Sequence, residues 1–122
     1  MEITQELINL VKKFEGLRLE SYKDAKGVWT IGYGHTVGVK QGQFISLQEA
    51  ENLLIEDLEI YADAVREYVT EAININMFSA LTSFTFNVGI NAFKSSTLLK
   101  ELNKGNYTKA KSEFLRWNKS GG

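Results

Sequence analysis

Cysteine and proline are absent from this 122-residue chain, and histidine occurs once. Without cysteine the chain has neither a disulfide framework nor a thiolate zinc site, and one histidine is a poor basis for a histidine-ligated metal. We therefore expect no metal site. Because proline is missing, the ends of helices have to be inferred from glycines and capping residues.

A strong net charge and long apolar runs are lacking as well. The chain has 14 Lys and Arg residues against 15 Asp and Glu residues, which gives no electrostatic case for a nucleic-acid partner. No apolar run approaches the length of about 18 residues that spans a bilayer. The first residues, MEITQELINLVKKFEG, carry acids where a signal peptide has an apolar segment. We therefore expect no membrane anchor.

The composition, 43% hydrophobic and 24% charged, is that of an ordinary globular chain, and the length fits one domain. The spacing of apolar residues predicts a helix over residues 3–15, a small β lobe over about 17–45, and a helical lobe over about 46–122. We thus predict a single α+β domain, mainly helical, in which a sheet lobe and a helical lobe flank a cleft.

Local signals support each of these boundaries. Thr4 is a candidate N-cap for the first helix, and Gly16 is its natural terminator. The turn at residues 24–27 predicts a hairpin or a small three-stranded sheet. Ser46 and Glu49 form a capping box at the start of the helical lobe. Later helices are predicted to end at Gly89, near Gly105 and by Gly121.

Glu15 occupies an unusual position for an acid, the C-terminal end of the first helix. There the helix dipole disfavours a negative charge by a few tenths to about 1 kcal/mol, and the neighbours Phe14 and Leu17 are apolar. Such a carboxyl tends to keep its proton, which is what a general acid near neutral pH requires. The ordinary alternative is a solvent-exposed glutamate on a fraying turn, and position alone does not decide between the two.

Three further residues allow a structural and a functional interpretation. Asp24 opens a turn, where aspartate commonly bonds the backbone two residues on, but it is also a carboxylate at a hairpin tip. Thr30 is an ordinary strand residue. His35 has no cysteine and no second histidine nearby, which favours a structural role over a metal ligand or a base.

Residues 14–35, FEGLRLESYKDAKGVWTIGYGH, closely resemble the catalytic signature of phage-type lysozymes, glycoside hydrolase family 24. That signature is a glutamate, an aspartate nine positions later and a threonine six positions after that, and Glu15, Asp24 and Thr30 match it. The resemblance continues through FNVG, STLL, LNKGNY and FLRW in the helical lobe. These segments are similar to the lambdoid-phage branch of the family.

The resemblance implies hydrolysis of the β-1,4 bond between N-acetylmuramic acid and N-acetylglucosamine in peptidoglycan, with carboxylates and water alone and hence no cofactor. Glu15 would be the general acid, and Asp24 and Thr30 would position the water. The family is inverting, so the two carboxyl groups are expected roughly 6.5–9.5 Å apart. His35 would be structural, paired with a carboxylate of the helical lobe.

Four further residues are candidate contacts to the glycan. The FNVG segment contributes Phe86 and Asn87, and Gly34 and Thr36 would border the glycan beyond the sheet. We expect Trp29 and Trp117 to be packing residues.

Members of the family generally continue beyond the position that corresponds to Gly122, with a basic segment and a closing helix. Loss of that helix would expose apolar surface and favour self-association or a complementing chain. Two alternatives stay open: a wall-binding module without activity, and a lytic transglycosylase, which needs only the glutamate. The resemblance also implies synthesis in the host cytoplasm and action on the periplasmic cell wall after the membrane is permeabilised.

Overall fold

The structure is a computed structural model that describes residues 1–121, with side chains described through residue 115. The order of elements is α1 (Gln5–Glu15), β1 (Arg18–Lys23), β2 (Trp29–Gly32), α2 (Leu47–Tyr68), α3 (Ile75–Val88), α4 (Ile90–Lys94), α5 (Thr97–Asn103) and α6 (Tyr107–Gly121). This mainly helical α+β fold confirms the predicted class. The predicted packing of Trp117 lies outside the described side chains. None of the helices in the described residues has the length and apolar character needed to cross a membrane.

The chain divides into two compact units, here called the N-terminal unit (Glu2–Ile60) and the C-terminal unit (Met1 with Tyr61–Gly122). The division falls inside α2. Each unit buries its own set of apolar side chains. In the N-terminal unit this set is Leu7, Ile8, Val11, Ile31, Tyr33, Ala50, Leu54 and Leu58. In the C-terminal unit it is Ala62, Ala64, Val65, Phe78, Leu81, Phe84, Phe93, Leu98, Leu99, Leu102 and Ala110.

Helix α1 begins at Gln5, two residues later than predicted. Thr4 has an extended backbone, and its side chain accepts a hydrogen bond from the N–H of Leu7, so it is the predicted N-cap. An N-cap residue with an extended backbone marks the start of a helix, so the helix cannot extend back to residue 3. At the other end Gly16 has a φ of 71°, and its N–H donates to the carbonyl of Lys12.

The sheet of the N-terminal unit is an antiparallel hairpin of β1 and β2, in which Tyr22 pairs with Thr30 and Lys23 with Trp29. A short segment adds to the other edge of β1. There the N–H of Ser21 donates to the carbonyl of Gln43 at 2.9 Å, in the register of an isolated bridge. The sheet is therefore two-stranded, with a third segment that pairs only briefly.

Helix α2 opens with the predicted capping box. The N–H of Glu49 donates to Ser46 Oγ at 3.1 Å, and the N–H of Ser46 donates to Glu49 Oε1 at 3.0 Å. The backbone hydrogen bond from Ser46 lowers the pKa of the Glu49 carboxyl, because it stabilises the charged form. This box confirms the predicted start of the helical segment.

Helix α4 is an element that the sequence pattern did not predict. Gly89 ends α3 with a φ of 92°, as predicted, and is also the residue from which α4 begins. With five residues, α4 is too short to show a periodic apolar pattern.

Candidate active site

Glu15 is the last residue of α1, as the sequence predicted. Its carboxyl lies close to the backbone of Gly34: a Cβ atom added to Gly34 would lie 2.8 Å from Glu15 Oε2. Glu15 as a whole residue is exposed, but partial burial of its carboxyl raises its pKa above the ordinary value. Phe14 contributes little to that burial because it is 73% exposed. Burial therefore stabilises the protonated form of Glu15 relative to that of an ordinary glutamate, and the cause is desolvation, whereas the sequence indicated the helix dipole.

Asp24 has the turn role that its position predicted. Its Oδ1 accepts hydrogen bonds from the N–H groups of Lys26, at 2.8 Å, and Val28, at 2.9 Å. Its Oδ2 accepts no hydrogen bond from any residue that the structure describes. One carboxylate oxygen thus holds the hairpin turn, and the other is available to a water or a ligand.

Thr30 lies in β2 and is only 4% exposed. Its hydroxyl donates to the carbonyl of Val28 at 3.0 Å, so its proton is engaged and only its lone pairs remain for another partner. The same Val28 carbonyl accepts the N–H of Asp24 at 2.9 Å. The Val28 backbone is therefore bonded to both Asp24 and Thr30 and fixes one relative to the other.

His35 is held at both ring nitrogens. Nδ1 lies 2.8 Å from Asp57 Oδ2 on α2, and Nε2 lies 3.0 Å from the carbonyl oxygen of Val37. Both neighbours are oxygen acceptors, and which ring nitrogen donates depends on the tautomer of His35. The carboxylate partner left open by the sequence is thus Asp57, and the contact joins the loop after β2 to α2 within the N-terminal unit.

The other predicted glycan contacts are distributed over both units. Thr36 is exposed in the N-terminal unit. Phe86 and Asn87 lie on α3 in the C-terminal unit, where Phe86 packs edge-to-face on Tyr61 at 5.4 Å between ring centroids and Asn87 is exposed. The remaining predicted residues, Glu15, Asp24, Thr30, Gly34 and His35, all belong to the N-terminal unit.

An open pocket of about 350 Å³ lies in the N-terminal unit next to His35. Its lining is mostly apolar, and it includes neither Glu15 nor Asp24. The described side chains contain no group of three His, Cys, Asp or Glu residues arranged to hold a metal ion. The candidate site offers the carboxyl groups of Glu15 and Asp24, the hydroxyl of Thr30 and the neighbouring backbone.

Two features of the site escaped the sequence analysis. Asp57 is one of several acids along α2, and nothing in the sequence distinguishes it from Glu56 or Glu59. The approach of Gly34 to Glu15 joins residues on different elements, so no local pattern identifies Glu15 as the group that Gly34 approaches. The GYGH segment gave a hint, because closely spaced glycines often mark a near approach of backbone to another group.

Comparisons with known proteins agree with the resemblance seen in the sequence. A family model described as Phage lysozyme matches residues 12–122. An endolysin of Bacillus phage B103 is 49% identical over 125 residues, covering 100% of this chain and 48% of that protein. An endolysin of Salmonella phage P22 is 40% identical over 126 residues, covering 99% of this chain and 86% of that protein. Among solved structures, the muramidase domain of SpmX from Asticaccaulis excentricus has a TM-score of 0.88 and 38% identity, covering 95% of this chain and 79% of that chain.

The chain spans about half the length of the first two curated relatives, both endolysins of Bacillus phages. The family assignment does not depend on them alone, because the family model accounts for nearly the whole chain. With Glu15, Asp24 and Thr30 inside the matched region and the same fold in a muramidase domain, the chain belongs to the phage lysozyme family.

Proposed function

We propose that this chain is an endolysin that hydrolyses the β-1,4 bond between N-acetylmuramic acid and N-acetylglucosamine in bacterial peptidoglycan. Membership of the phage lysozyme family and the endolysin relatives support this assignment. The single observation that carries it is the Glu15 carboxyl, whose pKa is raised by burial and which lies in the same unit as Asp24 and Thr30. A protonated acid and an available carboxylate are the two groups that glycoside hydrolysis requires.

Glu15 is the general acid of the proposed reaction. As the bond between the sugar carbon and the glycosidic oxygen breaks, Glu15 donates its proton to that oxygen, which leaves as a hydroxyl. The raised pKa keeps a larger protonated fraction at pH values closer to neutrality than an ordinary glutamate has.

Asp24 and Thr30 hold the attacking water. Thr30 has already donated its hydroxyl proton to Val28, so it accepts a hydrogen bond from the water, and Asp24 Oδ2 accepts the other. A water bonded in this way presents a lone pair to the sugar carbon. As its oxygen attacks, one proton passes to Asp24, and the sugar carbon inverts.

The proposed reaction needs no cofactor, because the proton donor, the proton acceptor and the nucleophile are two carboxyl groups and water. Thr36, Phe86 and Asn87 remain proposed contacts to the glycan. The proposed place of action is the cell wall, reached from the host cytoplasm once the membrane has been permeabilised.

The test is the release of reducing sugar from purified peptidoglycan, with a Glu15→Gln variant beside the parent chain. We expect release by the parent and a loss of about 10²–10⁴-fold in the variant, the usual contribution of general acid catalysis. Mass analysis of the products separates hydrolysis, which adds a water, from transglycosylation, which adds none. A folded parent chain that binds peptidoglycan and releases no sugar would contradict the proposal and favour a wall-binding module.

A further inference from the structure

The backbone of Gly34 lies close to the carboxyl of the proposed general acid, Glu15. A Cβ atom at Gly34 would lie 2.8 Å from Glu15 Oε2 and 3.4 Å from Glu15 Cδ. Real Cβ atoms essentially never approach another atom as closely as 2.8 Å, so the carboxyl occupies space that any side chain at this position would need. The backbone also has a φ of +82°, a conformation that residues with a Cβ rarely adopt.

We propose that Gly34 is a positioning residue for Glu15: its bare backbone forms the recess in which the carboxyl is held, so residue 34 sets where the acid lies and how far water reaches it. The proposal rests on the proposed function for the meaning of that position. The contact itself is a property of the fold. In this proposal Gly34 acts by positioning Glu15, whereas the sequence predicted that Gly34 borders the glycan.

The two roles have different kinetic consequences. A residue that borders the glycan affects the binding of substrate, so an added methyl group raises KM. A residue that positions the acid affects the proton transfer, so the methyl group displaces Glu15 and lowers kcat with little change in KM. A displacement of about 1 Å at a reacting group can cost about 10²-fold in rate.

A matched control is available in the same unit. Gly42 has a φ of +80°, nearly that of Gly34, but a Cβ atom there would meet nothing within 4 Å. Gly34→Ala and Gly42→Ala therefore impose a similar backbone strain, and only the first adds a contact with Glu15. The difference between the two variants isolates that contact.

The primary measurement is an NMR titration of the Glu15 side-chain carboxyl in the parent chain and in both variants. In Gly34→Ala we expect the pKa of Glu15 to fall back towards its ordinary value, because the carboxyl is pushed into water. The alkaline limb of the activity profile should move to lower pH, and kcat should fall by about 10²-fold. Gly42→Ala should leave the pKa of Glu15, the alkaline limb of the activity profile and kcat unchanged.

Three results would overturn the proposal: a Glu15 titration unchanged by Gly34→Ala, equal shifts in the two variants, or a rise in KM with kcat intact. If the parent chain releases no sugar, the proposed hydrolysis fails, and the NMR titration still decides whether Gly34 positions Glu15. The two failures are thus distinguishable.

A second pair of variants covers the case in which Gly34→Ala does not fold. Glu15→Ala removes the carboxyl that the added methyl group would meet. In that background Gly34→Ala should fold and should cost no more thermal stability than Gly42→Ala does. If Gly34→Ala prevents folding with and without the Glu15 carboxyl, the contact is not what requires glycine, and the proposal is wrong.

Discussion

The two compact units of this protein are stabilised by different means. The C-terminal unit buries large side chains of its helices, and Phe78 and Phe93 are almost fully enclosed. The N-terminal unit buries apolar side chains mainly from α1 and α2, but its two phenylalanines, Phe14 and Phe44, are 73% and 71% exposed. In addition to its buried apolar set it has turns, side-chain hydrogen bonds to backbone, and six of the eight described glycines with positive φ.

Because of this difference, we expect the rate of the proposed reaction to depend mainly on the N-terminal unit and the free energy of unfolding mainly on the C-terminal unit. The proposed catalytic groups are positioned by short-range backbone contacts in the N-terminal unit, such as those of Asp24 and Thr30 with Val28. Removing a functional atom there should change the rate with a small effect on folding. Removing an apolar side chain from the C-terminal unit should do the reverse.

The largest expected effect is that of Asp24→Asn. Asparagine keeps an Oδ1 that can accept the N–H groups of Lys26 and Val28, so the turn should survive. It lacks the charge needed to take a proton from water. We expect peptidoglycan hydrolysis to fall by about 10²–10⁴-fold with an unchanged melting temperature.

The control for this prediction is Asp24→Ala, which removes the turn hydrogen bonds as well. It should lose the same activity and also melt at a lower temperature. A rate for Asp24→Asn equal to that of the parent chain would mean that Asp24 is a turn residue only.

Phe93→Ala tests the other side of the comparison. Phe93 is 0% exposed and packs against Phe84 with 6.4 Å between ring centroids. Truncation of a buried phenylalanine typically costs about 3–5 kcal/mol of unfolding free energy. Phe44→Ala, in the N-terminal unit, should change it by no more than about 0.5 kcal/mol. Urea unfolding measures both, and similar losses in the two variants would contradict the comparison.

A smaller effect is expected for Asp57→Asn, which removes the charge that faces His35 Nδ1. The two side chains are only 15% and 17% exposed, so water screens the contact weakly. We expect the free energy of unfolding to fall by about 1.5–3 kcal/mol, the range for hydrogen bonds to charged groups.

The matched control for that variant is Asp63→Asn, six residues further along α2. Asp63 pairs with Arg66 at 2.6 Å, but its side chain is 74% exposed. Exposed pairs are worth about 0–1 kcal/mol. In thermal unfolding, Asp57→Asn should therefore lose clearly more stability than Asp63→Asn. Equal losses of stability would show that burial does not strengthen the contact between Asp57 and His35.

The parts of the fold that the sequence predicted are those determined by neighbours within a few residues. The Thr4 cap, the box of Ser46 with Glu49, and the stop at Gly89 each depend on one side chain and one turn of backbone. The turn role of Asp24 was equally predictable. Helix α4 was not, because a single turn that follows directly on another helix has no pattern of its own.

The parts of the site that could not be predicted depend on tertiary contacts. Glu15 was identified by its position and by resemblance, but its neighbour lies on the loop after β2. Asp57 meets His35 only because the loop packs on that turn of α2. The family resemblance indicated which groups to propose for the chemistry, whereas the packing of elements determines which of them are partly removed from water.

The smallest predicted effect concerns Glu15 and the stability of the fold. Its pKa is raised by burial, so the folded state binds this proton more tightly than the unfolded chain does. The resulting stabilisation is complete below the unfolded pKa and is lost as the pH rises through the folded pKa. At pH 7 the ionised carboxyl is therefore a cost to folding, which Glu15→Gln removes.

We expect Glu15→Gln to be more stable than the parent chain at pH 7 and equal to it near pH 4. Because the residue is exposed as a whole, solvent screening should keep the gain below about 1 kcal/mol. Thermal unfolding of both chains across this pH range measures the difference. A Glu15→Gln variant that is less stable at pH 7 would mean that the folded state favours the carboxylate, and Glu15 would then be a poor general acid. A gain would show that the N-terminal unit keeps its proposed acid at the expense of stability, as expected of a group positioned for chemistry.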